Sequence, residues 1–301
     1  MKAIQFSEYG GPEVLRVVEI EEPHAAAGQV RIAVRAAGVN PSDWKRRSGL
    51  YRAFEEVAFP SGVGVEASGI VDEVGPGVSG VAVGDAVFGF GERTVAQHAI
   101  LTHWARKPDD LSFEEAAGLP VAAETAWRSL DDVGLKRGET LLVSGAAGGI
   151  GSAVIQFARH RGITVIGTAS EPKHGYLREL GAIATTYGPG LAERVRELAP
   201  TGVDAALDVA GSGSIPELIE IAGDPSRVVS VADFSATQYG ARFSAGPPKD
   251  PRRVLADVAR LCAEGRFRLT VDRTFPLEQT AAAHEVSAAG HVTGKLVITV
   301  A

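Results

Sequence analysis

The residues with the plainest chemical reading lie in one stretch, TLLVSGAAGGIGSAVIQFA from position 140, where positions 146 to 151 read A-x-G-x-x-G. Gly148 lets a backbone come close to a pyrophosphate, and Gly151 lets the following helix pack on a sheet. The helix start then offers unpaired N–H groups and a partial positive charge to the phosphates. Ala146 stands where the usual first glycine would be. A glycine pattern alone also describes a turn that binds nothing. Here it follows a β-type run, opens a helical pattern and leads into a second β-type run, TVIGTAS, which is the setting of a dinucleotide-binding turn.

The end of that second run decides which dinucleotide. An acid there, about 20 residues past the turn, grips the ribose 2′-OH of NAD. Ser170 occupies the place, with Lys173 close behind. A hydroxyl and an ammonium suit a 2′-phosphate, which a carboxylate repels, so NADPH is the expected cofactor. Glu171, next in sequence, is the competing reading as an inward-turning acid.

The elements that must hold these residues follow from periodicity. Before position 120, short β-type runs (QVRIAVRAAG, SGIVDEVG, DAVFGF, TVAQHAIL) broken by glycine and proline predict an antiparallel barrel or sandwich. From Glu139 strands alternate with amphipathic helices: Ile150, Ala153, Val154, Phe157 and Ala158 repeat at helical spacing, and KHGYLREL is stopped by Gly181. DAALDVAG and RVVSVAD supply further strands, so the second part reads as a doubly wound parallel sheet. A helix starts with Asp250 as N-cap and Pro251 in its first turn, and closes at Gly265. The runs RLTVDRTFPL and KLVITVA beyond it have no place set by periodicity, and SAGPPKD is the most loop-like stretch.

Bulk properties exclude several classes. With 37 acidic against 30 basic residues and a net charge of −7, there is no basic field for a nucleic acid. Neither a signal-type start nor an apolar run of membrane-spanning length is found, so the expectation is a cytoplasmic protein with no membrane partner. A single cysteine, Cys262, excludes an intramolecular disulfide and thiolate-rich zinc sites, and its helical spacing from Val254, Val258 and Leu261 marks it as core. The seven histidines show no metal-binding spacing.

Together with AAGVNPSDWKRRSGLY, FPSGVGVEASGIVDEVG and AAETAWRSL, the glycine turn makes the chain resemble, nearly end to end, the zinc-independent quinone oxidoreductase branch of the medium-chain dehydrogenase/reductase superfamily. The resemblance implies an α/β architecture: a GroES-like β-barrel catalytic domain over 1–121, completed by 266–301, and an NADP-binding Rossmann domain over 122–265. It also implies a homodimer, joined through an exposed edge of the nucleotide-domain sheet. Position by position, it implies that Asn40 and Tyr51 line the cleft beside the nicotinamide and that Thr125 meets the carboxamide. Ala147, Gly148, Gly149 and Ile150 would meet the pyrophosphate, and Ser170, Lys173 and Tyr187 the 2′-phosphate. Each has a structural reading beside it: Tyr51 as cover for the barrel edge, Thr125 as a helix cap, Tyr187 as a packing residue, Asn40 as a turn residue. The zinc enzymes of the superfamily carry cysteine where Asn40 stands and histidine where Val65 precedes Glu66, so no metal is expected. Lys45 replaces a tyrosine common in this branch, and Ile183 an acid.

The implied reaction is hydride transfer from NADPH to a quinone or an α,β-unsaturated carbonyl, whose developing oxyanion needs only a hydroxyl or amide donor. Tyr51 and Asn40 are the candidate donors. Glu66 reads either as half of a buried pair with an arginine or as a proton relay. Lys45, Arg46 and Arg47 read as a solvated run or as a basic rim for a carrier phosphate. The competing functions are a dedicated enoyl reductase on an acyl thioester and a non-catalytic NADPH-binding sensor. Selectivity is expected to rest on loops 45–60 and 234–249.

Overall fold

A computed structural model describes residues 1–246 and 250–301, so positions 247–249 of the second selectivity loop and of SAGPPKD lie outside the described residues. The chain divides into two units, Met1–Val121 with Pro251–Ala301, and Ala122–Asp250.

In the first unit β1 (Lys2–Phe6) pairs antiparallel with β2 (Arg16–Glu19). After β3 (Val30–Val39) come α1 (Pro41–Arg47), the short β4 (Ser61–Gly62), β5 (Glu66–Val74), β6 (Ala86–Gly91), β7 (His98–Arg106) and α2 (Phe113–Ala117). Strands β3, β5, β6 and β7 are antiparallel neighbours, and β3 also pairs with β7. That last pairing closes the sheet, so of the two expected forms the chain takes the barrel. The burial of β3 alternates from Val30 to Val34 and is then continuous from Ala36 to Val39. The change has a cause: Ala37 and Val39 point into the barrel core, while Ala36 is covered on the other face by Ala117 of α2 and by Val297. The helix α3 (Leu119–Val133) carries the chain across the boundary between the units.

The second unit runs β8 (Thr140–Ser144), α4 (Gly149–Arg161), β9 (Thr164–Thr168), α5 (His174–Leu180), β10 (Ile183–Thr185), α6 (Leu191–Leu198), β11 (Ala205–Asp208), α7 (Ile215–Ala222), β12 (Val228–Ser230) and β13 (Arg242–Phe243). They form a parallel sheet in the order β10-β9-β8-β11-β12-β13. The strand order reverses direction beside β8, the switch point at which such sheets bind ligands.

The chain returns to the first unit with α8 (Pro251–Ala263), β14 (Val271–Pro276), α9 (Thr280–Ala289) and β15 (Lys295–Thr299). The two β runs that periodicity left unplaced extend the barrel sheet: β15 pairs antiparallel with β3 and parallel with β14. Helix α8 groups with the barrel, whereas the sequence carries the nucleotide unit on to 265. It buries Val254, Leu255, Val258 and Leu261, it packs on β7, and Arg252 lies 5.7 Å over the Trp104 ring. Periodicity reports that a helix buries a face but not against which sheet. Cys262 on this helix is partly buried, and burial pushes its thiol up to about 12, which keeps it protonated. No helix among the described residues is long and apolar enough to cross a membrane.

Candidate active site

The glycine turn joins β8 to α4 as its pattern requires, with one exchange of roles. Gly145, not position 146, takes the positive φ of 84° at the strand end. Ala146 is fully buried and donates its N–H to Thr168 O at 3.1 Å, and its Cβ lies over Gly167 of β9, so an alanine fits where the usual pattern has glycine. A Cβ on Gly151 would stand 2.5 Å from Gly145 O and 2.6 Å from Ala146 Cα, which makes it the residue that allows helix and turn to touch. Gly148 differs, since a Cβ there would meet only Gly145 O at 3.7 Å. Packing within the protein therefore does not require a glycine there. Gly148 is also the N-cap of α4 and supplies no capping side chain, so among the described residues the first-turn N–H groups of Gly149 and Ile150 have no side-chain cap. The fit to a dinucleotide phosphate is therefore good.

Ser170 lies two residues past β9, and Ala169 N bonds Thr185 O at 3.0 Å, which brings the ends of β9 and β10 side by side. Lys173 returns over this end, its N–H bonding Ser170 O at 2.9 Å. Glu171 is exposed in the first turn of the short 3-10 helix that Ser170 opens. Tyr187 lies just past β10 and is 55% exposed, which does not suit a packing residue. Arg194 of α6 frames it, donating to Pro189 O at 2.8 Å, Thr186 O at 3.0 Å and Gly188 O at 3.1 Å. Thr125 is buried in the middle of α3, six residues after its first residue, and so does not cap that helix.

The first unit holds Asn40 and Tyr51. Asn40 is the N-cap of α1, where its N–H donates to Asp43 Oδ2 at 2.7 Å. Its side chain faces the barrel wall: Nδ2 donates to Glu66 Oε1 at 2.8 Å, and Oδ1 accepts from Lys295 Nζ at 2.7 Å. Lys295 also bonds Glu66 Oε1 at 2.7 Å, and Glu66 Oε2 accepts from Val121 N at 2.8 Å. All three side chains are buried, Glu66 completely. Gly38 of β3 makes room for this carboxylate, since a Cβ there would collide with it. Glu66 thus pairs with a lysine, where an arginine was one expectation. Charges this deeply buried persist only because each has its counter-charge and its hydrogen bonds.

Asp43 adds a second buried carboxylate, pushed up to about 6 by desolvation against the opposing hydrogen bond from Asn40 and the charge of Lys295. Tyr51 lies in the turn after α1 and is half-buried; desolvation first, and then the charges of Asp43 and Glu55, hold its phenol above the ordinary range. It stays a neutral donor at physiological pH. The basic run is spent within the fold. Lys45 lies 5.7 Å over the Trp44 ring, Arg46 bonds Glu55 at 2.8 Å and Ser61 at 3.1 Å, and Arg47 is 3% exposed. It is neither a solvated face nor a free rim.

Sequence reading missed three residues that shape these sites. Lys295 is a charge opening the buried strand KLVIT, a pattern that signals a paired ion. Asp43 was legible as the third helical residue of N-P-S-D, the acidic end of a capping box. Among the described residues Arg194 donates to backbone carbonyls, which leaves no sequence signature. Among the described residues, no three His, Cys, Asp or Glu side chains gather as a metal would need.

Two family models match, the alcohol dehydrogenase GroES-like domain over residues 26–104 and the zinc-binding dehydrogenase family over 185–298. The spectinabilin polyketide synthase system protein NorB of Streptomyces orinoci is 36% identical over 96% of this chain, which spans only 14% of that protein. The chloroplastic NADPH-dependent alkenal/one oxidoreductase of Arabidopsis thaliana is 33% identical over 99% of the chain and 79% of its own length. The solved quinone oxidoreductase of Coxiella burnetii superposes with a TM-score of 0.84 at 32% identity, covering 100% of this chain and 99% of its own. With a closed GroES-like barrel, a Rossmann-type parallel sheet, and the alkenal/one oxidoreductase and the quinone oxidoreductase structure matched over 79% and 99% of their own length, the chain belongs to the medium-chain dehydrogenase/reductase superfamily, in its quinone oxidoreductase-like branch.

Proposed function

We propose that this protein is a zinc-independent, NADPH-dependent oxidoreductase of the cytoplasm that reduces a quinone or an α,β-unsaturated carbonyl. The carrying observation is the bonded set Asn40, Glu66 and Lys295. A zinc ion next to Asn40 would meet the Lys295 ammonium and an amide instead of a thiolate, a donor set that does not fit the metal. A neutral amide and a neutral phenol remain, and these suit a conjugated acceptor, whose charge moves onto an oxygen remote from the reacting carbon.

The turn from Ala147 to Ile150 would hold the pyrophosphate, Ser170, Lys173 and Tyr187 the 2′-phosphate, and Thr125 and Asn40 the nicotinamide. When bound, the cofactor supplies the hydride. Tyr51, kept protonated by its surroundings, donates to the oxygen on which charge develops, with Asn40 as the second donor. The alkenal/one and quinone oxidoreductase relatives support this choice of acceptor. A homodimer through the edge strand β13, beside the exposed Phe234 and Tyr239, completes the reading.

The polyketide synthase relative favours a second reading, enoyl reduction on a carrier-bound thioester. Against it stands the basic run, since Arg46 and Arg47 are already engaged or buried and offer no grip on a carrier phosphate. Loss of NADPH absorbance with a panel of 1,2- and 1,4-quinones, short enals and an enoyl thioester separates the readings. A quinone or enal is expected to turn over fastest. A preference for the thioester would move the assignment to the second reading, and NADPH binding without any turnover would make the protein a sensor.

A further inference from the structure

Both ends of the Asn40 amide are taken by charged groups, and this fixes more than its orientation. Oδ1 faces the ammonium of Lys295 at 2.7 Å, while Nδ2 gives one hydrogen to Glu66 Oε1 at 2.8 Å, and the second amide hydrogen has no acceptor among the described residues. Flipping the amide would aim N–H groups at an ammonium, so the O and N positions are set by charge. An ammonium on the carbonyl oxygen of an amide draws electron density toward it and makes the amide N–H a stronger donor, and this polarisation is larger where water is excluded. The exclusion is nearly complete, since Lys295 is 6%, Asn40 4% and Glu66 0% exposed.

We propose that Lys295 is a positioning residue for the reaction, holding and polarising the Asn40 amide so that its remaining N–H meets the charge that develops on the acceptor oxygen. The inference rests on the reading of Asn40 as a donor. Glu66 and the nearby Asp43 balance the ammonium, so the polarising charge is kept without a net positive charge that would trap the acceptor. A donor of this kind acts on the transition state more than on the bound substrate, so its loss lowers kcat and leaves KM nearly unchanged.

A double-mutant cycle tests it, with NADPH and the fastest quinone or enal. Lys295→Met together with Glu66→Gln removes both charges of the pair, keeps an acceptor for Asn40 Nδ2 and leaves no Glu66 carboxylate without its counter-charge. The expected result is a fall in kcat of about 10- to 30-fold, with acceptor KM and NADPH Kd within about threefold. In an Asn40→Ala background the same pair is expected to cost less than about twofold, because the group it acts through is gone. If methionine at 295 prevents folding, Lys295→Gln with Glu66→Gln places a neutral donor there, and the same losses are expected. An unchanged kcat in the charge-free variant overturns the proposal, as does an equal loss with and without Asn40. An Asn40→Ala enzyme with full turnover overturns it together with the donor reading, whereas a slow Asn40→Ala enzyme with additive losses overturns the role of Lys295 alone.

Discussion

At the scale of single residues the proposed cofactor preference rests on what stands after β9. Ser170→Asp places a carboxylate where a 2′-phosphate would lie, and it is expected to lower kcat/KM with NADPH by about 10- to 100-fold while leaving NADH unchanged or improved. Steady-state kinetics with both cofactors check this, and an unchanged preference would remove Ser170 from the 2′ site. Tyr51→Phe deletes one donor and keeps the ring, so kcat is expected to drop about 10- to 100-fold, and unchanged kinetics would show that Tyr51 only shapes its surroundings. The reading of Ser170 comes from one position at a known distance from a motif. Asn40 and Tyr51 came only through resemblance, and the partner that gives Asn40 its electrostatics, Lys295, is 255 positions away in the chain. Such a contact is made by the pairing of β15 with β3 and has no local pattern to announce it.

Among the elements, the turn between β8 and α4 was read almost completely, because glycine pattern and helical period agree there. Gly151→Ala is expected to destabilise the protein by about 1–3 kcal/mol, since the added Cβ would sit 2.5 Å from Gly145 O, and to weaken NADPH binding by pushing the helix start outward. Urea unfolding with a fluorescence titration of NADPH measures both, and wild-type values in each would mean that the turn relaxes freely. Helix α1 was not expected, although N-P-S-D contains its cap, its N-terminal proline and its acidic third residue. Its short length hides any apolar period. The edge strand β14 was recognised as an element but not placed by periodicity, and the helix α8 was assigned to the nucleotide unit, because the partner of a buried face is a tertiary property.

For the whole molecule, two buried titratable groups of the first unit oppose each other. Asp43 is raised from 3.8 to about 6, so the folded state holds this proton more tightly, and the stability it confers is full below about pH 4 and lost as pH rises through 6. His284, in α9, is lowered from 6.5 to about 3 by burial and by the nearby Arg47 charge. Its contribution is full above pH 6.5 and lost as pH falls toward 3. Between about pH 4 and 6 the two slopes, each about 1.4 kcal/mol per pH unit at most, run in opposite directions and largely cancel. Asp43→Asn is therefore expected to become less stable on acidification across this window, and His284→Gln more stable, as read from urea midpoints. Slopes of the same sign in both variants would show that these groups do not carry the linkage. The most direct test of the account as a whole is kcat/KM for the fastest quinone or enal, measured side by side with NADPH and NADH before and after exhaustive treatment with a zinc chelator. The account predicts a clear NADPH preference and a rate unchanged within about twofold by chelation. Activity that is lost on chelation and restored by zinc, or that runs better on NADH, would contradict it.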